Sequence, residues 1–333
     1  MKPSGDTLDI GPDDAGQRVD RFVRRVLARA TLPLVYKLLR TKQITVNGRR
    51  ARPEDRLAPG DAVTFFLGER FADLRGGRTP RRAPRAAPPA LEVLHRDDDV
   101  AALNKPARLL VHEGDSGDEP TLQDALLRAF PNRRGHVFRP ALAHRLDRDT
   151  SGVVLAGLSG PGLRGLEDLF RRRKVRKAYL ALVVGVPAER EGTIDAPLKR
   201  QEVPKGDRPK VFVGGRKDPA ARTDWRVLAS AAGYALVEAR PRTGRTHQIR
   251  VHLRHIGHPI LGDPTYGDRR RNEEARGRWG LWRPFLHAAS VEFEHPVTGA
   301  LLRVEAPLPA ELARVLTALG IREWSSAGGG GQG

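Results

Sequence analysis

The chain contains no cysteine. Disulfides and thiolate-held metals are therefore excluded, and the redox compartment cannot be read from it. It has no apolar run of about 18 residues and no signal-type apolar segment. It also lacks a basic amphipathic stretch of the kind that lies on a membrane surface. A cytoplasmic protein with no membrane partner is the expectation. No internal repeat is visible. Acidic residues are in deficit: 40 Asp and Glu stand against 59 Lys and Arg, a formal net charge of +19. Such an excess attracts polyanions, nucleic acid first among them. Arg, Ala, Gly and Pro are all abundant, so coding bias accounts for part of the charge. Bias alone does not place charge in patches.

At 333 residues the chain is long enough for two domains with at least one sizeable core. Residues 1–15 are polar and read as a disordered tail. Residues 16–68 read as a small module. Val19, Phe22, Val23, Val26 and Leu27 recur at helical spacing. Leu34, Val35, Leu38 and Leu39 repeat the pattern in a second helix. Ile44-Thr45-Val46 then alternates as a strand into Asn47-Gly48, a hairpin-turn signal, and Pro59-Gly60-Asp61 makes another turn before a strand over 62–66. Lys37, Arg40, Lys42, Arg49, Arg50 and Arg52 gather near the helix-to-hairpin corner. Residues 69–90 interleave Arg with Gly, Pro and Ala and read as a basic linker that buries no core. Residues 91–323 are strand-rich, with helices expected over 121–130, 162–172, 246–256 and 309–319. Those helices follow no βαβ beat, which implies an α+β domain with a mainly antiparallel mixed sheet. Residues 324–333 form a Gly-rich tail.

The most informative stretch is His144-Arg145-Leu146-Asp147-Arg148-Asp149-Thr150-Ser151-Gly152, directly before the apolar run Val153–Ala156. A charged turn entering a buried strand is an awkward place to store charge. Taken alone, Asp147 could brace its own turn through Arg145 or Arg148. Residues His247, His252, His255 and His258 invite a metal reading, but no acidic ligand has a defining spacing and Arg is interspersed. Ser151, His144 and Asp147 suggest a hydrolase triad, yet no Gly-x-Ser-x-Gly elbow is present.

The 144–152 stretch closely resembles the signature of the RluA-type RNA pseudouridine synthases. Four further stretches match in the expected order: Asn104-Lys105-Pro106 with Leu109–His112, Lys177–Val183, Gly244–Leu253 running on to Gly267, and Phe285–Ala288. Together they span most of residues 91–310. The resemblance implies a pseudouridine synthase catalytic domain that works without cofactor or metal. Asp147 would be the nucleophile. Tyr179 would stack on the uracil and take part in proton removal, and Arg245, at a helix start, would pair with Asp147. His144, Arg145, Leu146, Lys177, Thr246, His247 and Leu286 would line the substrate site. The run Leu34–Arg40, with Ile44–Gly48 and Pro59–Asp61, resembles the small α/β S4-like RNA-binding module. On that likeness Lys37, Arg40, Lys42, Arg49 and Arg50 would hold RNA. Module and motifs together look most like the C-type branch, which acts on large-subunit (23S) ribosomal RNA. A transfer RNA target, or a non-catalytic RNA-binding role in ribosome assembly, remain the rival readings. A monomer is expected. The stretch Gly215–Trp225 departs from the family's pattern, and Asp149 is given no catalytic role.

Overall fold

A computed structural model describes residues 5–75, 87–112, 119–131, 135–202 and 210–321 of the chain. The N-terminal module comprises β1 (Asp6–Asp9), α1 (Val19–Val26), α2 (Leu32–Arg40), β2 (Ile44–Val46), β3 (Ala62–Phe65) and α3 (Arg70–Arg75). Its sheet runs β1-β3-β2, antiparallel throughout. In α1 the residues Val19, Phe22, Val23 and Val26 recur at three and four and are all buried, so one stripe faces the sheet. Pro33 stands in the first turn of α2, where its missing N–H costs nothing.

Three sequence expectations change here. Residues 5–15 are not a tail: β1 pairs with β3, and Leu8, Ile10 and Ala15 are buried. The segment looks polar because alternate strand residues face solvent. The expected linker begins too early, since Arg70–Arg75 is helical and its Phe71 packs on Phe65 with ring centroids 5.0 Å apart. Asn47 and Gly48 do turn the chain, with φ of 51° and 72°, but the return makes a single bridge, Val46 to Arg49. The sustained partner of β2 is β3, which the Asn47 side chain secures through Asp61 Oδ1 and the Ala62 amide, each at 2.8 Å. The remainder of the linker at 76–86, residues 1–4 and the Gly-rich C-terminal stretch lie outside the described residues.

The larger body contains β4 (Glu92–Arg96), β5 (Val100–Lys105), α4 (Leu122–Ala129), β6 (Ala141–Leu142), β7 (Ser151–Gly157), α5 (Gly160–Arg171), β8 (Arg176–Val184), β9 (Glu191–Asp195), β10 (Leu198–Arg200), β11 (Val211–Val213), β12 (Arg222–Ala231), β13 (Tyr234–Pro241), α6 (Gln248–His255), α7 (Arg269–Trp279), β14 (Leu286–Glu294), β15 (Leu301–Glu305) and α8 (Ala310–Ala318). Ten of the strands make one sheet in the order β4-β5-β7-β14-β8-β13-β12-β9, with β6 added to β7 and β15 to β14. Every pairing in it is antiparallel except β7 with β14. The architecture is α+β with a mainly antiparallel sheet.

The parallel junction fixes the site. Ser151 and Gly152 pair with His287 and Ala288. Gly152 has φ of 117°, and a Cβ there would lie 2.1 Å from the Ala288 carbonyl oxygen. Only glycine fits. The charged turn therefore enters β7 hard against β14, and β8, on the other side of β14, carries Tyr179 opposite Ala288. Helix α6 starts at Gln248 rather than 246, because His247 is left-handed with φ of 54°. Helix α7 had no apolar stripe to betray it: among its residues Ala275 alone is buried. It is set by its ends, an Asp268 side chain accepting from Arg271 N at 2.8 Å and a left-handed Gly280.

Candidate active site

A cavity of about 1000 Å³ opens where the 144–150 turn, β8 and the start of α6 converge. All ten residues proposed from sequence for catalysis and substrate contact line it: His144, Arg145, Leu146, Asp147, Lys177, Tyr179, Arg245, Thr246, His247 and Leu286. Its wall carries nine arginines and one lysine against three carboxylates. A polyanion fits that balance better than a cation does.

Asp147 is held, but not by Arg245. Arg250 Nη1 donates to Asp147 Oδ2 at 3.1 Å, and the other edge of the same guanidinium grips Asp263 through Nε at 2.7 Å and Nη2 at 2.9 Å. Arg245 is exposed on the rim, its Nε directed at the Ala220 carbonyl at 3.3 Å. The left-handed His247 explains the exchange: the chain turns once more before α6 begins, so Arg245 falls outside the helix and Arg250, in its first turn, faces the cavity. Sequence reasoning missed Arg250 and Asp263, although both stand inside the stretch that carried the resemblance.

The electrostatics follow from this bridge. Burial opposes the charge on Arg250, but its bond to Asp263 and the charges of Asp263 and Asp147 outweigh that and raise its pKa further. Burial likewise pushes Asp263 up. Arg250, with the amides of Thr265 and Tyr266, leaves it below the usual carboxylate value. Asp263 is a fixed anion, Arg250 a fixed cation, and Asp147 Oδ2 is the third point of the bridge. Among the described residues Asp147 Oδ1 has no hydrogen bond. One carboxylate oxygen is anchored by Arg250 and the other is not.

His247 lies beside the pair, Nε2 at 3.9 Å from Asp147 Oδ2. Tyr266 Oη accepts from Val211 N at 2.8 Å, which leaves its own proton for His247 Nδ1 at 2.9 Å. Burial lowers the His247 pKa against the pull of Asp147, so the ring is neutral near pH 7. His144 is a structural acceptor: its Nε2 takes the Leu155 amide at 3.0 Å, its ring packs on Phe170, and burial drops its pKa to about 3. Burial, then the Asp147 charge, pushes the Tyr179 phenol well above its ordinary value, so it stays protonated. Burial also lowers Lys177.

Two buried basic side chains brace the turn from behind, and burial lowers the Lys105 pKa to about 7. Lys105 Nζ donates to the carbonyls of Pro106 at 2.8 Å and of Leu109 and Arg148 at 2.9 Å. Arg283, with no exposed surface, donates to the Asp149 carbonyl and Ser151 Oγ at 3.1 Å and to Glu311 at 2.8 Å. Ser151 also bonds His287 Nδ1 at 2.9 Å. The serine is thus tied to His287 rather than to His144, and no triad forms. Nor are the four histidines of the metal reading gathered: buried His252 spends both ring nitrogens on Thr223 Oγ1 and the Ala196 carbonyl, and His258 bonds the Val184 carbonyl. Among the described residues one other cluster, Asp97, Asp99 and His295, has ligand-like spacing. There His295 Nδ1 accepts two backbone amides, which puts the ring proton on Nε2 and blocks that nitrogen as a ligand. Lys37, Arg40, Lys42, Arg49 and Arg50 are all exposed on the module. No described helix is long and apolar enough to cross a membrane.

A family profile described as RNA pseudouridylate synthase matches residues 99–255. The Escherichia coli (strain K12) ribosomal large subunit pseudouridine synthase C is 37% identical over 318 residues, covering 95% of this chain and 97% of the relative. Its Yersinia pestis counterpart is 38% identical over 312 residues, covering 94% and 95%. The solved human RNA pseudouridylate synthase domain containing 4 superposes with a TM-score of 0.57 at 29% identity, covering 70% of this chain and 95% of that one. The likeness runs through the cavity and nearly end to end, and the chain belongs to the RluA family of RNA pseudouridine synthases.

Proposed function

We propose that the chain converts specific uridines to pseudouridine in large-subunit ribosomal RNA, with Asp147 as nucleophile and no cofactor. The observation that carries this reading is the bridge Asp147–Arg250–Asp263 at the floor of a cation-lined cavity. The reaction is an isomerisation. The Asp147 carboxylate attacks a carbon of the nucleoside, the N-glycosidic bond breaks, and the uracil turns. A ring carbon then bonds to the same ribose, the bond to Asp147 breaks and returns the carboxylate, and that ring carbon gives up its proton while the freed ring nitrogen takes one. Arg250 keeps the carboxylate ionised and oriented, as a close cation does for an aspartate. Tyr179 stacks on the base from β8. Its raised pKa favours that role over the role of a resting base.

The target uridine must leave its helix to reach Asp147. The arginines of the cavity wall, Arg145 and Arg245 among them, are suited to the phosphates on either side. The N-terminal module, read as S4-like, offers Lys37, Arg40, Lys42, Arg49 and Arg50 to flanking RNA. Binding should weaken steeply with salt. The identity to the synthase C proteins along almost the whole chain favours the ribosomal target over transfer RNA. We place the working protein in the cytoplasm as a monomer. The test is carbodiimide mapping of pseudouridine on unmodified large-subunit ribosomal RNA and on bulk transfer RNA after incubation with the purified protein. New stops confined to the ribosomal RNA are expected. Stops only in transfer RNA would move the target, and none on either from RNA-bound protein would favour an assembly role.

A further inference from the structure

The segment between β1 and α1 does more than connect them. Asp14 has no exposed surface, and its carboxylate accepts backbone amides from the other body of the molecule: His136 at 2.5 Å, Val137 at 3.2 Å and Phe138 at 3.0 Å. Three backbone donors on one buried carboxylate make a strong, directional seat. Asp13 Oδ1 accepts the Gly160 amide at 2.8 Å, at the positive end of the twelve-residue helix α5. The approach is so close that a Cβ on Gly160 would lie 2.2 Å from the Asp13 carbonyl oxygen. Arg164, one turn along α5, reaches back to the Pro12 carbonyl at 3.1 Å. Val137 packs against the module's own apolar core. The covalent connection between the two bodies follows α3 in sequence. The Asp13 and Asp14 contacts are therefore a second, non-covalent tie between the bodies.

We propose that Asp13 and Asp14 form a clasp that docks the N-terminal module on the catalytic body in one orientation, and that this fixed offset between basic module and cavity selects the target uridine. A module on a loose tether raises the local concentration of RNA but leaves many uridines within reach of the cavity. A docked module presents RNA at one register, so only a uridine at a set distance from the bound flank enters. The inference rests on the reading of the module as RNA-binding, and the experiment separates the two.

The absence of cysteine makes the docking measurable without background. Spin labels at Arg24→Cys and Glu189→Cys, both exposed positions on the two bodies, should give one narrow distance distribution. Adding Asp13→Ala and Asp14→Ala should broaden it. The same double variant, without labels, should keep the wild-type rate on a short stem-loop carrying the target uridine. On full-length ribosomal RNA it should lose roughly tenfold or more in kcat/KM and modify extra uridines, because the second contact no longer lies at a fixed geometry. Thermal unfolding of the double variant controls for misfolding, and Arg164→Ala, which leaves both carboxylates in place, should show the same effects more weakly. A distribution that stays narrow in the double variant overturns the clasp. So does unchanged selectivity once the module is released. Lys37→Glu with Arg40→Glu tests the underlying reading separately: if it leaves long-RNA activity untouched, the module is not an RNA contact and selection by offset falls, while the distances still decide whether the clasp exists.

Discussion

Replacing Arg250 by alanine strands Asp263. That carboxylate is wholly buried, and Arg250 is itself only 9% exposed. Without the guanidinium the carboxylate keeps only the Thr265 and Tyr266 amides, and breaking a buried pair by removing one partner costs roughly 3–5 kcal/mol. At about 2–4 °C per kcal/mol for a body of this size, Tm should fall by roughly 6–20 °C. Asp147 loses its anchor at the same time. A reacting group displaced by about 1 Å costs on the order of 100-fold in rate, so kcat should drop by about that factor. KM for RNA should hardly move, because Arg250 sits at the floor rather than on the rim. Stability and chemistry can be separated by Arg250→Ala combined with Asp263→Ala, which removes the stranded charge. This double variant should recover most of the lost Tm and none of the lost kcat. The assay is single-turnover release of tritium from RNA labelled at the uracil C5, alongside thermal unfolding. Turnover within about twofold of wild type in Arg250→Ala, or restored turnover in the double variant, refutes the bridge as the device that sets Asp147.

Lys105→Met should lower stability by roughly 1–3 kcal/mol for the carbonyls behind the turn left without their donor; kcat should fall while KM holds, and an unchanged kcat would show that the turn needs no brace. Gly152→Ala forces a Cβ onto the Ala288 carbonyl and should yield a protein with a much lower Tm or none in the soluble fraction; a wild-type melting curve would contradict the close β7–β14 approach. Stability should also fall in acid. The folded pKa values of His144 and His287, about 3 and about 4, lie below the unfolded value of 6.5. The unfolded chain therefore binds more protons between those values, and each histidine withdraws up to about 1.4 kcal/mol per pH unit as pH drops through that window. Urea midpoints should decline from about pH 7 to about pH 5, and less steeply in His287→Asn; an equal slope would exclude His287 as a contributor.

The site residues reached from the sequence came from the resemblance of whole motif stretches rather than from local pattern. Asp147 and Tyr179 were reached because each stands in a stretch that resembles a family motif, whereas Asp147 taken alone reads as a turn brace; both line the cavity. Arg250 was not. It lies between Ile249 and Val251, like an ordinary helical arginine beside apolar neighbours, and its role depends on a left-handed His247 that no propensity argument predicts. Arg283 and Lys105 act through backbone carbonyls distant in sequence, so their partners leave no side-chain pattern to read. At the level of the fold, β1 was hidden by its polar alternate residues, and α7 by the lack of any apolar stripe. The overall α+β class was legible because the strand runs are long, apolar and not spaced by a βαβ beat.

The measurement that tests the account most directly is pseudouridine formation by Asp147→Asn, followed together with RNA binding on the same large-subunit ribosomal RNA. Asparagine keeps the size of the side chain and an oxygen for Arg250 but removes the nucleophilic carboxylate. The account predicts that the variant binds RNA with wild-type affinity and forms no pseudouridine, even at one enzyme per target over long incubation. Conversion at a rate near that of the wild type would contradict it, whatever the affinity.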